Sequence, residues 1–260
     1  MFDYVQNKYN PTPKLVTEDD LTDKNLYVKY INAPYMILPK TIEEFHSSHK
    51  SKFWYNINRS IKMYENQFGN LSFEIIKNTN DLDFFLEQVF HLFNKRWENE
   101  YLTSPWKCIE GFEKYKTALI DLSKSDNGFL AVLYDKNKKL LSYAYCLSNG
   151  NTAHFYQYTT TTENKYKKFS LGKILLYRLL LALIEDSQFK ILDFMNGEQA
   201  YKLEWAKQSK PIYYKISNKT LQSHAKYILL KIQFYLQFNN FFRNKLKTLF
   251  KVKEDYFGKC

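Results

Sequence analysis

A strand-like run, Thr152-Ala-His-Phe-Tyr-Gln-Tyr-Thr-Thr160, passes through a polar basic loop into an apolar helix from Ile174 to Ile184. The junction over 166–173 reads Tyr-Lys-Lys-Phe-Ser-Leu-Gly-Lys. No other stretch of the chain restricts the fold as much. Backbone N–H groups at a helix start lack partners within the helix, and the helix dipole is positive there. Ser170 and Gly172 let that backbone come close to a bound anion, so the segment reads as a phosphate cradle. Lys167, Lys168 and Lys173 add positive charge around it. The plainer reading, that Ser170 simply caps the helix, stays open on the sequence alone.

With 260 residues the chain has room for one large domain, or one domain with extensions. Apolar residues make up 45%, and 22 Tyr with 21 Phe supply enough burial area for a sizeable core, which excludes global disorder. Cys108, Cys146 and Cys260 are widely spaced and form no metal-ligand pattern with the five histidines. They read as free thiols in a reducing compartment, and no metal is expected. The opening Met-Phe-Asp-Tyr-Val-Gln-Asn-Lys lacks the apolar core of a signal peptide, and the longest apolar run is broken by Arg178 and too short to span a bilayer. A cytoplasmic protein is expected, with the inner face of the membrane as a peripheral location. The net charge of +11 is uneven: Asn218 to Cys260 holds eight Lys and one Arg against Glu254 and Asp255. The excess belongs to a tail.

Residues 1–40 are polar, carry Pro11, Pro13, Pro34 and Pro39, and show one strand-like run, Leu26 to Ile31. They read as a poorly packed lead-in. Thr41 to Gln67 is helical and basic, and Phe68-Gly69-Asn70 breaks it. Then follow a strand over 72–77 and a periodic helix over 82–101, with Leu82, Phe85, Leu86, Val89, Phe90, Phe93 and Trp97 on one face. A second helix runs over 111–124. Strands over 129–134 and 140–147 are joined by a hairpin at Asp135-Lys-Asn-Lys138. The strand over 152–160, the apolar helix over 171–186, a short strand over 190–194, a helix over 198–207 and a last strand over 211–216 complete an α/β rhythm. Lys219 to Lys253 reads as a basic amphipathic helix. Such a helix can pack its aromatic side on its own domain, contact an anionic membrane surface, or bind nucleic acid; the first use is the expectation and the last is the weakest reading.

That element order, with a cradle between the fourth strand and the next helix, resembles the GNAT acyltransferase superfamily. Its cradle is usually Arg/Gln-x-x-Gly-x-Gly/Ala, and Lys167-Lys-Phe-Ser170-Leu-Gly172 stands in its place, with Ser for the first Gly. Four stretches are similar to the FemAB-related, BioF-like branch: Phe45 to Arg59, Gly69 to Glu74, Leu92-Phe-Asn-Lys-Arg-Trp97, and Asp193-Phe-Met-Asn-Gly-Glu-Gln-Ala-Tyr-Lys202 followed by Trp205. The branch usually carries two tandem GNAT-like halves, and this chain matches the second.

The resemblance implies a GNAT fold, a mixed central sheet flanked by helices, with a C-terminal basic amphipathic helical tail. It divides the chain into a lead-in over 1–40 left from a missing upstream half, a GNAT-like domain over 41–217, and a tail over 218–260. It implies that acetyl-CoA or another acyl-CoA is the co-substrate, held by Tyr158, Thr159, Thr160, Lys167, Lys168, Ser170, Leu171, Gly172 and Lys173. Tyr201 would protonate the leaving thiolate. Asp193 is a general base, a ligand for a substrate hydroxyl or amine, or the cap of the turn at Asn196-Gly197, and Glu198 shares that role or starts the next helix. Arg96, Trp97 and Lys202 are candidates for the acceptor, although Trp97 also fits the core. His154 is a further possible base, and as a lone strand histidine is also read as packed. The expected activity is transfer of an acyl group, acetyl first, to an amine on a sugar or sugar-nucleotide used in surface polysaccharide assembly. Homodimerisation and a peripheral membrane contact through 219–253 are the partner expectations. The alternatives are FemAB-type aminoacyl transfer from tRNA to a cell-wall peptide, and a non-catalytic GNAT scaffold.

Overall fold

The computed structural model describes residues 14–22, 25–77, 79–96 and 109–217, and the helical positions His224, Tyr227, Ile228 and Lys231. In chain order the elements are β1 (Lys14–Val16), β2 (Asn25–Ile37), α1 (Ile42–Ser47), α2 (Ser51–Phe68), β3 (Leu71–Ile76), α3 (Thr79–Arg96) and α4 (Ile109–Lys124). There follow β4 (Gly128–Asp135), β5 (Leu140–Asn149), β6 (Thr152–Thr160), α5 (Leu171–Glu185), β7 (Ile191–Asp193), α6 (Ala200–Leu203) and β8 (Gln208–Ser217). The basic loop before α5 is wound into a 3-10 helix, Asn164–Phe169. The chain forms two compact units, residues 36–195 and the described residues up to Tyr35 together with those from Asn196 onward.

The larger unit is built on the strand order β7-β6-β5-β4-β3, antiparallel throughout except for the parallel β6/β7 pair. All eight residues of β4 are buried. Because side chains alternate between faces, this strand must be covered on both. Leu130, Val132 and Tyr134 pack with Tyr143, Tyr145 and Leu147 of β5 against Leu82, Leu86, Val89, Phe112 and Leu119 of α3 and α4. The alternate residues Phe129, Ala131, Leu133, Ala144 and Cys146 are equally buried and take the other face, where α5 presents Leu171, Leu175, Leu176, Leu179 and Leu183.

The helix read over 41–67 is two helices. Thr41 Oγ1 accepts the Glu44 N–H at 3.2 Å to start α1, and the Ser48 hydroxyl donates to the Phe45 carbonyl at 2.6 Å to end it. Lys50 is extended and α2 begins after it. Gly69, at φ 86°, ends α2 as the break at Phe68-Gly69-Asn70 predicts.

In the smaller unit β8 lies between β1 and β2, antiparallel to both. The strand read over 26–31 extends to Ile37: Asn32, Ala33 and Pro34 break its alternation, but pairing with Pro211, Lys210 and Ser209 carries the ladder through. Val16, Val28 and Ala33 are buried, so this part of the lead-in is packed rather than loose. The helix read over 198–207 is shorter, only Ala200–Leu203, because the chain from Gln208 joins β8. Tyr227 packs against Val28 and Ile216, which seats the start of the tail on its own sheet; the rest of 219–253 lies outside the described residues apart from His224, Ile228 and Lys231. None of the described helices is long and apolar enough to cross a membrane.

Candidate functional site

The start of α5 is a junction with unusual backbone. Ser170 occupies the N-cap position in the left-handed region, at φ 50° and ψ 44°, and its side chain makes no capping bond. Side-chain capping needs extended backbone at that residue, so the capping reading of Ser170 is corrected. Its carbonyl instead accepts the N–H groups of Lys173 and Ile174 at 2.8 and 3.1 Å. At Gly172 the hydroxyl of Tyr158 fills the space a Cβ would need. Gly172 is therefore required by the approach of a side chain from β6.

Beside this junction lies a cavity of about 400 Å³, walled by Asn56, Arg59, Ser60 and Met63 of α2 and by Lys168, Ser170, Lys173 and Ile174. Its lining carries three cations and no carboxylate. Lys173 Nζ also lies 5.3 Å from the centre of the Phe53 ring, a cation–π distance. An anion of phosphate type fits this chemistry: point charges, a guanidinium, hydroxyls and a helix start share one hollow. Sequence reasoning predicted Lys168, Ser170 and Lys173 here and missed Arg59, Asn56 and Ser60. The basic character of the helix was visible, but which of its residues would face the cradle depends on how α2 packs on α5.

The remaining predicted binders stand apart. Lys167 is exposed and does not line the cavity. Leu171 is buried in the core at 4% exposure, leaving only its backbone for binding. The Thr159 hydroxyl donates to the Tyr158 carbonyl at 2.7 Å, and Thr160 Oγ1 lies 3.5 Å from the Leu141 carbonyl. Both threonine side chains are spent within the sheet.

β6 carries a second feature. Cys146 pairs with Phe155 and Tyr145 with Gln157, so Tyr156 is the extra residue of a β-bulge. β7 pairs with β6 only at Thr152, Ala153 and His154, and ends at Asp193. From Phe155 onward β6 makes no ladder pair with β7. At the last rung His154 Nδ1 stands 3.6 Å from Asp193 Oδ2. Asp193 Oδ1 accepts the Met195 N–H at 2.8 Å and holds a tight turn in which Met195 has φ 61°. Asp193 thus uses one oxygen on the turn and turns the other to His154.

In the smaller unit, Glu198 accepts hydrogen bonds from Asn32 Nδ2 and Ser209 Oγ, both at 3.0 Å, and precedes α6 rather than lying in it. Lys202 is buried, and its Nζ donates to the Asn196 carbonyl at 2.7 Å. Tyr201 is 36% exposed, yet burial of its phenol pushes the pKa up to about 12. The hydroxyl is therefore protonated throughout the neutral range. Arg96 ends α3 and is exposed; Trp97 lies outside the described residues, as do Cys108 and Cys260. Cys146 is a free, buried thiol whose pKa burial drives upward. Among the described residues no group of His, Cys, Asp and Glu could hold a metal ion.

A family model described as an acetyltransferase (GNAT) domain matches residues 51–203. No curated protein matches the chain. Among solved structures, FemX shares 13% identity over 88% of this chain and 71% of its own, with a TM-score of 0.52. L-PGS from Bacillus licheniformis shares 10% over 84% and 71%, also at 0.52. A conserved protein of unknown function from Bacteroides thetaiotaomicron shares 12% over 76% of this chain, with a TM-score of 0.51, and this chain spans 64% of that protein. At these identities the likeness establishes the fold. The family match runs from α2, which walls the cavity, through the cradle to α6, and on that match the chain belongs to the GNAT acetyltransferase-domain family and is a transferase.

Proposed function

We propose that the chain transfers an acyl group, acetyl first, from acyl-CoA to an amine. The observation that carries this reading is the cavity at the start of α5, where Arg59, Lys168 and Lys173 meet around Ser170 with no opposing carboxylate. CoA presents a pyrophosphate and a 3′-phosphate, and a hollow of this charge and size suits that anion. The part of β6 beyond its pairing with β7 is the proposed source of N–H groups for the thioester arm and the developing oxyanion. Holding the thioester against the amine supplies much of the rate. Tyr201, neutral at working pH, is the proposed donor to the departing thiolate. An amino sugar or sugar-nucleotide of surface polysaccharide assembly is the proposed acceptor, on the BioF-like resemblance.

Thermal unfolding with and without acetyl-CoA tests the reading. Ligand at 100 times its dissociation constant adds about 2.7 kcal/mol, a shift of a few degrees for a chain of this size. No shift with CoA or acetyl-CoA overturns it.

The same cations, with Lys52 and Lys62 on the exposed part of α2, also suit the phosphates of an RNA end, and this favours aminoacyl-tRNA as the second reading. RNA binding would fall steeply as salt rises; tight, salt-sensitive tRNA binding without any CoA shift would select it.

A further inference from the structure

The three cations of the cavity are not gathered at one point. Lys173 is drawn towards the first turn of α2, where its Nζ lies 5.3 Å from the centre of the Phe53 ring. Lys168 leans the other way, its Nζ 5.0 Å from the centre of the Phe169 ring. That ring packs on Tyr64 at 5.5 Å and on Phe68 at 5.7 Å, in the last two turns of α2. Phe53 and Tyr64 stand about 16 Å apart along the helix axis. One phosphate group is too small to meet both ammonium groups. Arg59 comes between the two ends of the helix.

The two walls of the cavity also differ in kind. The cradle wall offers two lysines, which are point charges, and the backbone at the start of α5. The wall on α2 offers side chains only, because Arg59 lies in the middle of that helix and its backbone N–H is used within it. Asn56, Arg59 and Ser60 line the cavity together, and their spacing of three and four residues puts them on one side of the helix. A guanidinium is a rigid fork that matches the free oxygens of a phosphate two at a time. Here it is flanked by an amide and a hydroxyl, and no carboxylate lines the cavity to neutralise it.

We infer that the cavity holds two anion subsites: the cradle takes the diphosphate of CoA, and Arg59, flanked by Asn56 and Ser60, takes the phosphate monoester on the adjoining ribose, the 3′-phosphate. This rests on the acyl-CoA reading. The ribose carries both groups and holds them apart, which is the arrangement that separated cations require. A monoester has three free oxygens, enough for the guanidinium fork and for one further donor from Asn56 or Ser60. The chain thereby selects CoA over dephospho-CoA, which keeps the diphosphate and the thiol arm and lacks only the 3′-phosphate. Arg59 is a specificity-determining residue in this scheme, remote from the reacting atoms.

Calorimetry on the full chain with CoA and with dephospho-CoA tests the assignment. Wild type should bind CoA roughly 10- to 150-fold more tightly, the worth of hydrogen bonds to a charged group. In Arg59→Ala the two ligands should bind alike, at the wild-type affinity for dephospho-CoA, which also shows that the variant is folded. Lys173→Ala, on the cradle side, should weaken both by the same factor. Equal binding of the two ligands by wild type overturns the monoester subsite. A preference for CoA that survives Arg59→Ala overturns the role of Arg59. Both results leave the acyl-CoA reading standing. Failure of wild type to bind either ligand overturns that reading, and the subsite with it.

Discussion

The hydroxyl of Tyr158 lies against Gly172, in the space that any larger residue there would claim. A strand residue and a helix residue 14 positions apart in sequence are thereby locked together at the mouth of the cradle. Gly172→Ala should cost about 1–3 kcal/mol by overpacking. Adding Tyr158→Phe, which deletes the clashing oxygen, should recover part of that loss. Urea unfolding of both single mutants and the double mutant checks it; full additivity would show that the contact is not made.

Ser170 stands where the GNAT cradle usually has its first glycine, and it sits in left-handed backbone. Left-handed conformation costs a non-glycine residue about 1–2 kcal/mol, offset in part by the extra freedom glycine has when unfolded. Ser170→Gly should therefore raise stability slightly, by about 1 kcal/mol at most, and leave acetyl-CoA affinity intact. A large loss of stability would mean that the serine side chain carries an interaction of its own.

Arg59 is the charged side chain that α2 contributes to the cavity. A hydrogen bond to a charged group is worth about 1.5–3 kcal/mol, so Arg59→Ala should weaken acetyl-CoA binding roughly 10- to 150-fold by calorimetry. Lys167→Ala, outside the cavity, should change it little.

Burial raises the Tyr201 phenol from 10.0 to about 12. A raised pKa means that the folded state keeps its proton longer than the unfolded chain does. The associated stability is whole below pH 10 and is lost as pH climbs from 10 towards about 12. Tyr214 titrates in the same direction and window. Tyr201→Phe should flatten, without abolishing, the fall of stability over that range, measured by denaturant midpoints at successive pH values.

Lys116 of α4 reaches Asp83 at 2.8 Å and Glu87 at 2.6 Å on α3. Desolvation lowers its pKa, and hydrogen bonds and charge from both carboxylates outweigh that, bringing it to about 12. Those carboxylates are more than half exposed and rehydrate when the lysine is removed. Lys116→Met, which keeps the aliphatic stem, should cost no more than about 1 kcal/mol by urea unfolding.

Much of the larger unit was legible from local pattern. The strand over 152–160 has the expected boundaries, and α5 and β4 to β5 lie within a few residues of them, because apolar alternation and the helical stripe are properties of neighbouring residues. β2 was cut short at Ile31 and α6 read too long, since in both places pairing with a distant strand outweighs local preference. The candidate site divides the same way. Lys168, Ser170, Gly172 and Lys173 were visible as a basic, small-residue junction before a helix. Arg59 was not, because its place at the cavity depends on the packing of α2 against α5.

The sequence by itself determined the cradle, the strand and helix that frame it, and the identity of each titratable group, because those are matters of composition and short-range periodicity. Tertiary structure alone decided that Tyr158 meets Gly172, that Arg59 joins Lys168 and Lys173, and that His154 stands beside Asp193. The physical reason is register. A single inserted residue at Tyr156 and three rungs of parallel pairing set which side chains face each other, and those rungs join segments that lie far apart along the chain.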